Sequence, residues 1–263
     1  MDNQNLYLVG TLHNDLNGKE RLDTLLDRLA PFVIALEFHK DREELGSSQK
    51  SQEEEQRELT TLLDESGLNL NPGQRATLIE SGQRVSSAMG YEFKSSRAYT
   101  TRNANSRLEY IDISLFANGR EEFSKGLIES MSGVFKQIAA DPKLAKQVLE
   151  RLNGGVDAHL QYLRGDTQQI YQNAEAIAEL FEMIRDPENF EMMKKTMSPQ
   201  AIQALEQVYN PARDEAMKNR VRELYDGKNR LVAIVGLAHL QGLKTKLKDL
   251  KPRVMTLAEY DSV

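Results

Sequence analysis

Two histidines in this chain follow the same local pattern. Residues 6–13 read LYLVGTLH and residues 231–239 read LVAIVGLAH, so each segment is an apolar run followed by a Gly-x-x-His motif. The motifs end in His13 and His239. Imidazole is both the commonest metal ligand in proteins and a general base near neutral pH. The repeated motif therefore indicates a site for metal or acid–base chemistry.

Each motif taken alone has an ordinary structural interpretation. A glycine after a strand is common turn chemistry, and a lone histidine beside an apolar run is more often a hydrogen-bonded structural residue than a ligand. The chain has only four histidines in 263 residues, and two of them share this context at opposite ends. Turn chemistry does not explain that repetition, so we favour a shared site.

The elements that would position these histidines are two buried strands. Short apolar runs rich in β-branched residues and closed by glycine are typical of strands rather than helices. Each histidine would then follow the carboxyl end of a strand, where ligands bind in open α/β sheets. The leucines of residues 19–29 have helical spacing and Pro31 follows them, so a helix leads to a second strand at 32–37. This order predicts a βαβ unit with parallel strands.

Acidic residues follow the same predicted edge. Glu37 closes the second strand, and a carboxylate there is costly unless it is paired or bound to a cation. A glutamate simply exposed where the strand emerges is an equally good explanation. His39 is two residues further on, and we expect it to be solvated. A third strand at 108–113 places Asp112 near its end, and Glu92 lies in a helix predicted at 91–105.

A long segment without strand patterns separates the two halves of this sheet. Residues 115–210 carry helical patterns broken by proline and glycine, and we interpret them as a helical insertion. We treat His159 in this segment as structural. The whole chain, 1–263, is predicted to be one α/β domain with a mainly parallel central sheet flanked by helices. Residues 253–257 would add an edge strand.

A charged pair precedes the last motif strand. Pro211 starts a helix in which Arg213 and Asp214 occupy the first turns. A guanidinium is a planar fork of donors that can clamp a carboxylate or stabilise a developing oxyanion. Such pairs are also common on ordinary helix surfaces, and their spacing does not distinguish the two roles.

Composition limits the chemistry. The net charge of -6 and the isoelectric point near 5.4 argue against a nucleic-acid partner. Cysteine is absent, so a metal would be held by His, Asp or Glu, and a thiol nucleophile is excluded. No apolar run approaches the length of a membrane span, and the first residues carry no basic leader. We therefore expect a cytoplasmic protein without a membrane partner.

The combined motifs resemble the TraB/Tiki family, within the wider group of erythromycin-esterase-like and ChaN-like domains. The resemblance covers residues 6–40 and 210–245, with a weaker similarity at 90–112. In Tiki proteins the two histidines and the glutamate belong to a divalent-metal-dependent peptidase site. The resemblance thus implies that His13, His239 and Glu37 bind a metal, and that the family's arginine and aspartate correspond to Arg213 and Asp214.

The resemblance implies a metal-dependent hydrolase, and among hydrolases a peptidase, that uses Mn, Co or Zn. Two imidazoles and one carboxylate leave coordination positions open for water and substrate. Glu37 would be a ligand or the general base, Arg213 would stabilise the oxyanion, and Asp214 or Glu92 would orient Arg213 or move a proton, with Asp112 nearby. The alternative is a protein that binds a peptide or small molecule in the same crevice without turnover. A purely structural role is the least favoured interpretation.

Overall fold

A computed structural model describes most of the chain. The described residues are 5–42, 52–114, 131–195 and 210–262, together with positions 199, 202 and 206. Parts of the predicted helical insertion, including 115–130, lie outside them.

In the part of the chain that the structure describes, five strands form one parallel sheet. They are β1 (Leu6–Thr11), β2 (Val33–Leu36), β3 (Arg107–Tyr110), β4 (Leu231–Gly236) and β5 (Arg253–Thr256). The order across the sheet is β3-β2-β4-β1-β5, and all neighbouring pairs are parallel. Every residue of β1, β2 and β4 is buried, as expected for central strands covered by helices on both faces. The predicted α/β fold with a parallel sheet is confirmed.

Ten α-helices have both ends within the described residues. They are α1 (Gly18–Leu29), α2 (Gln52–Glu65), α3 (Pro72–Ala88), α4 (Tyr91–Arg102), α5 (Pro142–Leu152), α6 (Gly155–Gln172), α7 (Ala174–Arg185), α8 (Pro187–Lys194), α9 (Pro211–Leu224) and α10 (Leu237–Lys246). Residues 131–140 are also helical. Within the described residues, none of these helices is long and apolar enough to cross a bilayer.

The last motif strand lies between the first two strands. β1 and β2 are parallel, as the predicted βαβ unit requires, but β4 separates them and pairs with both. Thr11 is the register partner of Gly236, so the two Gly-x-x-His motifs leave the sheet side by side. The two ends of the chain therefore meet at the centre of the sheet.

Two layers of helices cover the sheet. Right-handed crossovers place α1 and α4 on one face and α9 and α10 on the other, because the two sets of connections run in opposite directions across the sheet. The observed packing agrees, since α1 packs on α4 and α9 packs on α10. Gly18 starts α1 where it meets α4, and a Cβ there would lie 2.3 Å from the ring of Tyr91. Only glycine permits this close approach.

The residues described between 131 and 195 contain helices and no strand, in line with the predicted helical character of this segment. α3 packs on α6, and α7 packs on α10, so the helical segment contacts the layers that cover the sheet. α3 begins with a capping box in which Asn71 and Gln74 satisfy each other's backbone N–H groups.

Candidate functional site

The carboxyl ends of four strands bring the predicted site residues together. His13 follows β1, Glu37 follows β2, Asp112 follows β3 and His239 follows β4. α10 begins at Leu237, directly after β4, so His239 lies in its first turn. The sheet edge thus gathers charged groups that are far apart in sequence.

A buried arginine joins two of these groups. Arg213 Nε lies 3.0 Å from Asp112 Oδ1, and its Nη2 lies 2.6 Å from both Asp112 Oδ2 and Glu37 Oε1. The first two contacts form a bidentate pair, which is the strong geometry for arginine and carboxylate. Burial alone would lower the pKa of Arg213, but the carboxylates of Glu37 and Asp112 raise it. The guanidinium is permanently charged here.

Glu37 is held ionised. Gly236 N–H donates to Glu37 Oε2 at 2.5 Å, and Arg213 contacts the other oxygen. Burial opposes the charge, but His239, Arg213, His13 and this backbone hydrogen bond together lower the pKa of Glu37 to about 2. The side chain is therefore a carboxylate at any physiological pH.

His239 lies between two carboxylates. Its Nδ1 is 2.5 Å from Asp214 Oδ1, and its Nε2 is 3.4 Å from Glu37 Oε1. A carboxylate only accepts hydrogen bonds, so Nδ1 carries a proton and donates a hydrogen bond to Asp214. This contact fixes the orientation of the ring and turns Nε2 toward Glu37.

His13 repeats this arrangement with more exposure. Its Nδ1 lies 2.7 Å from Glu92 Oε1, and Thr11 Oγ1 donates to the same oxygen at 3.1 Å. The His13 side chain is 51% exposed. A Cβ placed on Gly236 would lie 3.3 Å from both His13 Nε2 and Glu37 Oε2. The absence of a side chain at Gly236 leaves a small open cradle between these two atoms.

The group as a whole favours an added positive charge. Four carboxylates, those of Glu37, Glu92, Asp112 and Asp214, accompany one guanidinium. In a neutral imidazole with Nδ1 protonated, Nε2 is an acceptor, yet Nε2 of His239 faces a carboxylate oxygen. Two acceptors facing each other need a proton or a cation between them.

The donor chemistry fits a divalent cation, although the ligands are not converged. Both imidazoles are anchored through Nδ1 by a carboxylate, which is the usual support for a histidine that binds metal through Nε2. Glu37 is the carboxylate that lies near both. Among the residues that the structure describes, however, no three His, Asp or Glu side chains form a ready metal-binding group.

A cavity of about 450 Å³ opens over these strand ends. Its polar wall includes Thr11, His13, Glu37 and Glu92, and its other wall is apolar. Arg213, Asp214 and His239 lie behind the wall and are almost fully buried. Glu37, Glu92 and His13 are therefore the ionisable groups that a ligand in the cavity would meet directly.

The geometry gives each expected residue a definite partner. We expected Asp214 or Glu92 to orient Arg213 or to move a proton. The guanidinium contacts Asp112 and Glu37, while Asp214 contacts His239 and Glu92 contacts His13, and a role in moving a proton stays a prediction. The buried Arg213 holds two carboxylates and does not line the cavity. Outside the site, His39 pairs with Asp41 at 3.1 Å, and His159 lies on α6 in the helical segment.

A second polar cluster supports the loop that carries His13. Tyr91 O–H donates to the Leu12 carbonyl at 3.1 Å, and Leu12 N–H donates to the Tyr171 hydroxyl at 3.0 Å. Tyr171 in turn donates to Asp15, which also accepts from Arg21. Sequence reasoning missed this cluster, because a tyrosine in an amphipathic helix gives no signal of its partner. The aspartate two residues after His13 was the available clue.

Comparison with known proteins connects this site to a family. The model of the TraB/PrgY/gumN family matches residues 141–257. Over these residues, which are a little under half of the chain, the sequence is similar to the TraB/PrgY/gumN family. The TraB resemblance expected from the motifs is confirmed over this range, which includes Arg213, Asp214 and His239. The match also extends into the helical segment, for which the motifs had suggested no relative.

A shorter stretch of the chain is similar to an archaeal protein. An uncharacterized protein of Methanocaldococcus jannaschii is 38% identical over 72 residues, which is 27% of this chain and 17% of that protein. The match therefore covers less than a fifth of the archaeal relative. No solved structure matches the chain.

Proposed function

We propose that this protein is a divalent-metal-dependent hydrolase that acts on peptides. The main observation behind this proposal is that His13 and His239 are both anchored through Nδ1 by carboxylates and both lie near Glu37. The similarity to the TraB/PrgY/gumN family over residues 141–257, together with the resemblance of the motifs to that family, supports this assignment. His13, His239 and Glu37 would hold Mn, Co or Zn.

The chain's own groups have separable roles in this proposal. A bound divalent ion would supply Lewis-acid activation of water and of the scissile carbonyl. Arg213 and Gly236 N–H keep Glu37 ionised and in place, so Glu37 is available as a ligand or as a general base. Asp214 and Glu92 fix the tautomers of His239 and His13.

Metal binding is the experiment that tests this proposal. Elemental analysis of the purified protein and calorimetric titration with Mn, Co and Zn would compare the wild type with a His13→Ala, His239→Ala double variant. His39→Ala is the matched control, because His39 is a neighbouring histidine paired with Asp41 outside the site. We expect binding at one ion per chain in the wild type and the control, and its loss in the double variant.

A second candidate function follows from the engagement of Glu37. Both of its oxygens already accept from Arg213 and Gly236, and the described residues include no converged set of three ligands. These contacts favour a crevice that binds a peptide or small molecule without turnover. If the wild type, the double variant and the His39→Ala control all fail to bind metal, and the wild type binds peptides, this function would replace the hydrolase. Metal-dependent cleavage of a peptide library would exclude it.

A further inference from the structure

One wall of the site cavity is apolar and partly open. Leu36, Phe38, Met89 and Phe93 line it opposite His13 and Glu37. Phe38 and Phe93 are half-buried and stack with ring centres 4.8 Å apart, and Met89 is 50% exposed. Apolar surface left open beside buried charges is unfavourable unless something covers it.

This wall is fixed in advance. The ring of Phe93 contacts both the ring of Phe38 and the guanidinium of Arg97, whose central carbon is 5.7 Å from the centre of the Phe93 ring. Tyr110 packs against Phe38 with ring centres 5.2 Å apart. Stacked rings and a cation–π contact hold the aromatic side chains in one arrangement without a ligand. A ligand that contacts them loses little free energy to ordering the wall.

We propose that Phe38, Met89 and Phe93 form a subsite for one apolar side chain of a peptide whose backbone reaches Glu37 and His13. This deepens the proposed function, since it names the residue class next to the reacting groups. The cavity of about 450 Å³ lies in the lower part of the range of small-molecule pockets, about 300–1,000 Å³. It suits a short peptide segment rather than a folded domain.

The test measures binding of two small probes to the full chain by NMR, with no metal added. The probes are N-acetyl-phenylalanine amide and N-acetyl-serine amide, which differ only in the side chain. We expect the wild type to prefer the phenylalanine probe. Phe93→Ala and Met89→Ser should each weaken that probe about tenfold and leave the serine probe unchanged. Met89 is exposed, so its substitution leaves the fold intact.

Phe32→Ala is the matched control. Phe32 is a 40% exposed phenylalanine with the Arg107 guanidinium 6.0 Å from its ring centre, which resembles the setting of Phe93, but it precedes β2 at the opposite edge of the sheet. Its removal should leave both probes unaffected. Equal binding of the two probes by the wild type, or equal losses in Phe93→Ala and Phe32→Ala, would overturn the subsite.

The subsite and the hydrolase fail in different ways. Preferred binding of the phenylalanine probe without any peptide cleavage supports the subsite and removes the hydrolase. Metal-dependent cleavage of a peptide library with no preference for apolar side chains, unchanged in Phe93→Ala, supports the hydrolase and removes the subsite.

Discussion

Glu37 is the residue on which the site converges. Its two oxygens connect β2 to Arg213 on α9 and to the backbone of Gly236 at the end of β4, and it faces both histidines. Its side chain also lines the cavity beside the apolar wall. We therefore expect a substitution at this one position to affect stability and, if the proposed function holds, ligand binding as well.

The lowered pKa of Glu37 predicts a specific pH dependence of stability. Its pKa is about 2 when folded and 4.5 in an ordinary environment, so the stability it contributes is present above about pH 4.5 and is lost as the pH falls toward 2. We expect Glu37→Gln to be less stable than the wild type near neutral pH by on the order of 3 kcal/mol.

Urea unfolding measured at a series of pH values checks this prediction. The difference between the wild type and Glu37→Gln should shrink toward zero as the pH approaches 2, because protonated glutamate resembles glutamine. A difference that stays constant across this range would show that Glu37 is not held ionised by its neighbours.

The fork of Arg213 predicts that lysine cannot replace it. Lysine keeps the charge but cannot make the bidentate pair with Asp112. We expect Arg213→Lys to lower the free energy of unfolding by about 2–4 kcal/mol, because a buried pair is broken. Arg220→Lys on the same helix is the control, since Arg220 pairs with Glu109 and Glu223 at the surface and should cost under about 1 kcal/mol. Similar losses in urea unfolding for both variants would contradict the structural assignment.

The sequence indicated most of the residues of the site but few of their contacts. His13, Glu37 and His239 were found because each follows an apolar run that reads as a strand. The pairing of Arg213 with Asp112 was not predicted, because the two residues are 101 positions apart and no local pattern encodes the contact. The partners of long polar side chains depend on tertiary packing, which one sequence does not specify.

At the scale of elements, the packing of α1 on α4 depends on a glycine. A Cβ at Gly18 would overlap the ring of Tyr91, whose hydroxyl supports the loop before His13. We expect Gly18→Ala to cost about 2 kcal/mol of stability through overpacking. Gly165→Ala in α6 is the control. A Cβ there meets open space, so this substitution should raise the free energy of unfolding by about 0.5–1 kcal/mol. The midpoint of thermal unfolding should therefore fall for Gly18→Ala and rise for Gly165→Ala.

The strands themselves were predicted well from apolar runs, while their order was not. β1, β2, β4 and the edge strand β5 lie where the pattern placed them, and β3 ends at Tyr110, earlier than expected. The insertion of β4 between β1 and β2 follows from how the helical layers pack, since any parallel order satisfies the same alternation of strands and helices.

At the scale of the whole molecule, Tyr171 links the helical segment to the site. Its hydroxyl accepts from Leu12 N–H and donates to Asp15, both next to His13. We expect Tyr171→Phe to lose about 1–3 kcal/mol, because it leaves a backbone donor without its partner. Hydrogen exchange of the Leu12 amide should become faster. Tyr162→Phe, at an exposed position of the same helix, should change neither the stability nor the exchange rate of the Leu12 amide. Equal effects of the two variants would contradict the role of Tyr171 in connecting the helical segment to the site.

The position of β4 also sets the order in which the molecule can be completed during synthesis. Gly236 and Glu37 are 199 residues apart, yet the first needs the second for its backbone hydrogen bond. A ribosome adds about 5–20 residues per second, so β1 and β2 emerge many seconds before the strand that belongs between them. A nascent chain that stalls before β4 leaves both edges of β1 and one edge of β2 without their partner strands, and its candidate site is not assembled.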